Sequence, residues 1–277
     1  YSYYYTYYGS YSTNTISSPD TLWRLNSNLR YGVDVHYALE SSYDFFFQKF
    51  NRNSYDNSGH ALNSYINYYG YTAATYSGAN FYFPMINGNN LAQATIEIVG
   101  HEYAHAVISK TAALTGGAEA RALNEGFSDI FGVAIDFFKN PTTANFIIGE
   151  RTKANGVPSR NMGYPNLVGF PSSYLGTNYL ASNYYNAGAV LNYWFYLLVN
   201  GGSGTNDFGN NYQINSIGLD AASRIAYYAL TTFLTNSSNY SSCRTATIAA
   251  VTNLYGACSK EAKEVTKAWY AVNVGAN

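Results

Sequence analysis

His101-Glu102-Tyr103-Ala104-His105, followed by Asn124-Glu125-Gly126-Phe127-Ser128-Asp129, decides how this chain is read. The two histidines are four residues apart. On an α-helix that spacing stacks them on one face, one turn above the other, so two imidazole nitrogens can reach a single ion. Glu102 stands beside the first of them, where its carboxylate can meet a metal-bound water without occupying the metal. The metal lowers the pKa of such a water, and the carboxylate takes its proton as attack on a carbonyl begins. This is the H-E-x-x-H zinc pattern.

Five residues alone can arise by chance on a surface helix, so the neighbourhood matters. The approach from Leu91 to Gly100 and the exit Ala106-Val107-Ile108 are apolar enough for a buried helix. Burying two histidines and a glutamate is costly unless they are paired or coordinate something. Glu125, 20 residues after His105, supplies a third ligand from a second helix. Two His and one Glu leave a fourth position open, which is a catalytic zinc set and not a closed structural one. Asp129, one turn beyond Glu125, and Asn124 beside it are the candidates to accept the free ring N–H of a ligating histidine.

Composition sets outer limits. With 277 residues and 47% hydrophobic content the chain can bury a sizeable core, as one large domain or two lobes. A net charge of −1 gives no electrostatic footprint for nucleic acid or a membrane surface. Charged residues are only 11%, whereas tyrosine alone numbers 31. Low charge with abundant Tyr, Asn, Ser and Gly fits an extracellular, adhesive or assembled surface, because tyrosine covers interface area with little entropy loss. It equally fits a secreted protein with little need of charge.

No apolar run reaches transmembrane length. A start at Tyr1 instead of Met reads as a mature fragment whose signal and pro-segment have been removed. Cys243 and Cys258 bracket an expected helix from Thr245 to Tyr255. They are read either as a disulfide across its ends, in keeping with secretion, or as two buried free thiols.

In chain order, the tyrosine- and serine-rich segment from Tyr1 to Leu25 alternates like strand and would also suit docking to a neighbour. A helix is expected over Asp34–Phe50, then a turn-rich loop over Asn51–Gly59. Strands are expected over Ala61–Tyr69, Tyr71–Tyr76 and Asn80–Met85. Asn87-Gly88-Asn89-Asn90 then turns the chain into the His101 helix. Gly116-Gly117 mark a hinge before the Glu125 helix, Ala120–Phe138. Asn140–Tyr185 is irregular, with four prolines. Helices follow over Ala187–Val199, Ser216–Leu234, Cys243–Tyr255 and Ser259–Val272, with a loop over Gly201–Asn211.

These residues resemble the thermolysin-like zinc metallopeptidases, the secreted neutral metalloproteases. The likeness runs from about Tyr31 to the C-terminus, through Val33–Ala38, Tyr43–Phe46, Gly70–Tyr76, Asn124–Gly132, Tyr227–Leu230 and Ala268–Val272. It implies an α+β, two-lobed thermolysin-like fold: a β-rich N-terminal lobe (1–115) that includes the His101 helix, and a mainly helical C-terminal lobe (116–277). It implies Zn²⁺ on His101, His105 and Glu125, with Glu102 as catalytic base. It implies substrate binding by Arg160 and by the edge strand around Ala74. Internal peptide bonds of protein or peptide substrates would be hydrolysed, before an apolar residue. Glu97, Asp136 and Glu150 match acidic calcium positions of the family, but Ile147 stands where another carboxylate is expected. One Ca²⁺ site or none is expected, the acids otherwise being simply solvated.

The departures bear on turnover. The family's oxyanion tyrosine falls at Gly116. Its oxyanion histidine falls at Tyr185, the aspartate that holds it at Leu180, and its substrate-gripping asparagine at Ala73. Losing one such donor typically costs about 100- to 1000-fold in rate. Tyr185, as a neutral hydroxyl donor, is the candidate replacement; otherwise it is one aromatic among many. Two expectations result. The first is a secreted zinc endopeptidase. The second is a catalytically weakened relative serving as an extracellular surface or filament subunit, self-assembling through its tyrosine-rich N-terminus.

Overall fold

The computed structural model describes residues 2–7, 10–15, 27–68, 70–84, 93–152 and 155–275, with side chains from residue 30 onward. The Asn87–Asn90 turn, Met85, and the start of the approach to the His101 helix lie outside the described residues, as do the N-terminal tyrosine side chains invoked for self-assembly. The fold is mixed α+β, and the chain forms two compact units: Tyr1–Val107 with Phe131–Ser159, and Ile108–Ile130 with Arg160–Asn277.

In the first unit, strands β1 (Ser2–Tyr7), β2 (Ser10–Thr15), β3 (Asn63–Tyr68), β4 (Thr75–Ser77) and β5 (Asn80–Pro84) form one sheet in the order β2-β1-β3-β5-β4. β1–β3 and β3–β5 are parallel pairs, and both edge strands, β2 and β4, pair antiparallel. Alternation assigns the faces. Ser64, Ile66, Phe81 and Phe83 are fully buried, while Tyr65 and Tyr82, register partners, are half-buried and stack on each other at 5.1 Å. The strand expected over Tyr71–Tyr76 is shorter in the structure, Thr75–Ser77.

Helix α1 (Ser27–Phe50) begins before the expected Asp34. Its apolar stripe of Tyr31, Val35, Ala38, Leu39, Phe45 and Phe46 faces inward. Helix α2 (Ile96–Ser109) carries the two histidines, and helix α3 (Ala118–Lys139) follows a glycine-containing loop. Each contributes residues to both units. Within the first unit they meet at glycines. A Cβ on Gly132 would strike the Glu97 carbonyl oxygen, and one on Gly100 would lie 3.1 Å from the Gly132 Cα. Only residues without a side chain allow two helix backbones this close.

Within the second unit α3 meets helix α4 (Tyr184–Asn200) the same way: a Cβ on Gly188 would lie 2.8 Å from the Ala122 carbonyl oxygen and 3.2 Å from the Gly126 nitrogen. Two two-residue strands, β6 (Ile147–Ile148) and β7 (Arg160–Asn161), and a short 3-10 turn at Pro165–Val168 punctuate the irregular stretch before α4. Strands β8 (Gly202–Thr205) and β9 (Asn211–Ile214) pair as a hairpin where a loop was expected. Its first strand, Gly-Ser-Gly-Thr, is exposed throughout and held by backbone pairing alone, so it leaves no alternating pattern to read. Helices α5 (Gly218–Thr232), α6 (Tyr240–Tyr255) and α7 (Lys260–Ala271) complete the unit. Trp194 and Trp269 stack at 4.8 Å in its core, and Trp269 Nε1 donates to Thr247 Oγ1 at 2.7 Å.

The disulfide expectation is corrected: both cysteines are free, Cys243 buried in α6 and Cys258 exposed beyond its end. The helix is the reason. From Cys243 to Tyr255 its axis rises by roughly 18 Å at about 1.5 Å per residue. The three residues to Cys258 return at most about 11 Å, and bridging needs Cα atoms within about 7 Å.

Candidate active site

The histidine helix is rotated into place by the residue between its polar groups. Tyr103 is fully buried; it stacks on Phe46 of α1 at 5.4 Å and on Phe81 of β5 at 6.2 Å. At 100° per residue, a Tyr103 anchored in this aromatic core turns His101 and His105 together to another side of the helix. Their rings lie 4.5 Å apart, centroid to centroid, at 89°. His101, Glu102 and His105 each offer a ligand atom within 4.8 Å of the others, and among the described residues they are the one such group of three or more. His101 and Glu102 are buried. A close, sunken pair of imidazoles with a carboxylate is a donor set that fits a divalent metal ion.

Glu102 is oriented by the sheet. Its Oε2 accepts from the Tyr76 backbone N–H at 2.7 Å. β4 is an edge strand, so its outward N–H groups have no partner strand, and the carboxylate takes one of them. This is the contact that sequence reasoning missed; 26 residues separate the partners and no spacing signals it. Ala74 lies just before β4, nine-tenths buried, its N–H donating to Gln93 Oε1 at 2.6 Å. Ala73 beside it is exposed.

The second unit builds its own polar cluster from α3, α4 and β7. Arg160 clasps Asp129 with both prongs of one guanidinium edge: Nε to Oδ2 and Nη2 to Oδ1, each 2.6 Å. Asn192 Nδ2 donates to the same Oδ2 at 2.7 Å. Burial works against the Arg160 charge, but Asp129 outweighs it, with Glu125 and Tyr185 adding to the effect, and the guanidinium pKa is pushed above its usual value. Tyr185, half exposed on the first turn of α4, presents its ring 5.7 Å from the Arg160 guanidinium carbon. Asp129, expected to orient a histidine, anchors Arg160. Asn124 donates to the Leu114 carbonyl at 3.0 Å. Leu180 is exposed.

Gly116 sits where no side chain fits. Its N–H donates to the Asn236 carbonyl at 3.0 Å, and an added Cβ would run into the Asn236 side chain. That side chain is held in turn by the Ala113 carbonyl at 2.6 Å and the Thr115 hydroxyl at 2.8 Å.

The calcium candidates do not gather into a comparable ligand group among the described residues. Asp136 accepts from Asn140 Nδ2 at 2.9 Å, and Glu150 from Asn145 Nδ2 at 3.0 Å. Burial pushes the Glu97 carboxyl pKa up, and the nearby Asp136 carboxylate adds to the rise.

Family models match nearly the whole chain. The catalytic domain of the thermolysin metallopeptidases matches residues 1–109, and their alpha-helical domain matches residues 112–274. A transglutaminase-activating metalloprotease from Streptomyces mobaraensis is 31% identical over 97% of this chain and 38% of that protein. A thermolysin from Alicyclobacillus acidocaldarius is 34% identical over 92% of this chain and 48% of that protein. The chain thus spans about half the length of the curated relatives it matches. The precursor of protealysin, a metalloproteinase from Serratia proteamaculans, shares the fold with a TM-score of 0.81, at 24% identity over 99% of this chain and 87% of that one. Among the described residues no helix is long and apolar enough to cross a membrane.

Proposed function

The chain belongs to the thermolysin metallopeptidase family, and from that premise we propose that it is a secreted, zinc-dependent endopeptidase acting on protein or peptide substrates. The observation that carries this reading is the Glu102 carboxylate, fixed by an edge-strand N–H and grouped with two histidine ligand atoms. A purely structural metal site has no use for a carboxylate held in that way.

His101, His105 and Glu125 would hold the zinc, which when bound acts as a Lewis acid toward water and the scissile carbonyl. Glu102 takes a proton from the attacking water, holds it on the carboxylate, and delivers it to the departing amine. The Tyr76 N–H keeps the carboxylate aimed while this happens. Arg160 binds the substrate carbonyl. Of the five N–H donors of a guanidinium, Asp129 uses two, and the others would serve an incoming acceptor. Ala74 immediately precedes the strand that orients Glu102. Gly116 supplies no side-chain donor to the oxyanion, so slow turnover is expected.

The test is cleavage of an internally quenched peptide by the zinc-loaded protein. Activity should vanish with a chelator and return with zinc. Glu102→Gln should lower kcat by about 100- to 10,000-fold while zinc stays bound, and Glu125→Ala should lower the zinc content itself. Cleavage unaltered in Glu102→Gln would refute the proposal.

A further inference from the structure

We infer that Tyr185 acts as a positioning residue for Arg160, through its ring face and not through its hydroxyl. The inference rests on the reading of Arg160 as the group that binds the substrate carbonyl. Charge grips the guanidinium along one edge: both Asp129 oxygens take its Nε–Nη2 edge at 2.6 Å. Asn192 secures Asp129 in turn, so that edge is fixed from α3 and α4. An edge-on pair still leaves the plane free to tilt about the line of its two hydrogen bonds. The Tyr185 ring, 5.7 Å from the guanidinium carbon, lies within the range where the negative face of an aromatic ring attracts a cation. It supplies the restraint that the carboxylate does not.

The arrangement is economical in elements. Tyr185 and Asn192 both belong to α4, and Asp129 to α3. The Gly126–Gly188 approach holds those two helices at backbone distance. The ring and the carboxylate therefore stand on two helices held at a fixed approach, and both meet the same guanidinium. The outer N–H donors of Arg160 then point in one direction before any acceptor arrives, which lowers the cost of binding it.

Ring and hydroxyl make opposite predictions for two substitutions. Tyr185→Phe keeps the face and loses the donor; Tyr185→Leu loses both. If the ring positions Arg160, Tyr185→Phe keeps KM and kcat within about 2-fold of the parent. Tyr185→Leu then raises KM by about 3- to 10-fold, with kcat changed less than 2-fold, as expected for a lost cation–π contact of this kind. A loss of kcat shared by Tyr185→Phe and Tyr185→Leu would identify the hydroxyl as the active part and overturn the inference. Unchanged kinetics in Tyr185→Leu would overturn it as well.

A readout independent of turnover separates this claim from the endopeptidase reading. Phenylglyoxal modifies arginine guanidinium groups, and the rate at Arg160 can be followed by peptide mapping of the full chain. Arg160 should react several-fold faster in Tyr185→Leu than in the parent, and no faster in Tyr185→Phe. That pattern in a protein without zinc-dependent cleavage would sustain the positioning role while the endopeptidase proposal fails. Equal rates in all three proteins would remove the positioning role, whatever the activity.

Discussion

At the scale of single residues, Gly116 is the most informative position, because the family resemblance places an oxyanion tyrosine there. Its position lacks a side chain, and the surrounding loop has closed over the space: Asn236 is pinned to Ala113 and Thr115 where a Cβ would go. Gly116→Tyr is therefore expected to destabilise the fold by about 1–3 kcal/mol through overpacking, not to restore a faster enzyme. Thermal denaturation beside the cleavage assay checks this; a variant as stable as the parent and markedly faster would contradict it. The zinc motif itself was legible because its chemistry is encoded in local spacing, two histidines four positions apart on a helix. The Tyr76–Glu102 bond and the Arg160–Asp129–Asn192 cluster were not. Their partners lie 26, 31 and 63 residues apart, and pairing at that distance is created by tertiary folding.

At the scale of elements, α3 is organised by two close approaches, Gly132 against α2 and Gly126 against α4. Gly132→Ala would press a methyl group into the Glu97 carbonyl and to within 3.1 Å of the His101 nitrogen. Neither is the free end of a side chain, so the backbone carrying His101 must shift. A loss of about 1–3 kcal/mol is expected, together with weaker zinc retention in dialysis against a metal buffer. Gly117→Ala, with nothing within 4 Å of the added carbon, is the control and should be close to neutral. Equal melting temperatures for the two variants would show the crossing to be slack. The helices were readable from their apolar periodicity, to within a turn at most ends. The α1 start was placed too late, because Ser27 to Arg30 lack the aromatic periodicity that marks the rest. The β8–β9 hairpin escaped because exposed glycine and serine can pair backbones while looking like loop.

At the scale of the whole molecule, few charges mean that few groups set its response to pH. Glu264 is one of them. Burial alone would raise its pKa, but the Asn215 backbone N–H at 2.8 Å, the Asn215 side chain at 3.1 Å and Lys267 at 3.1 Å together hold it below the ordinary value of 4.5. The sign follows from the lowered folded-state value. Its contribution is complete above about pH 4.5 and is lost as pH falls through the lower folded-state value. Urea midpoints should therefore drop between pH 7 and pH 3.5 by more in the parent than in Glu264→Gln. Equal drops would mean that other carboxylates govern the acid limb.

The thiols add a consequence of their own. Cys243 is sealed inside α6, and burial pushes its pKa up, so it is a poor nucleophile. Cys258 alone meets solvent. A maleimide dye should attach once per folded chain, giving a ready-made address for single-molecule or surface attachment without any mutation. Air oxidation should couple two polypeptides at that address, visible as a doubled band on a non-reducing gel that collapses with a reductant.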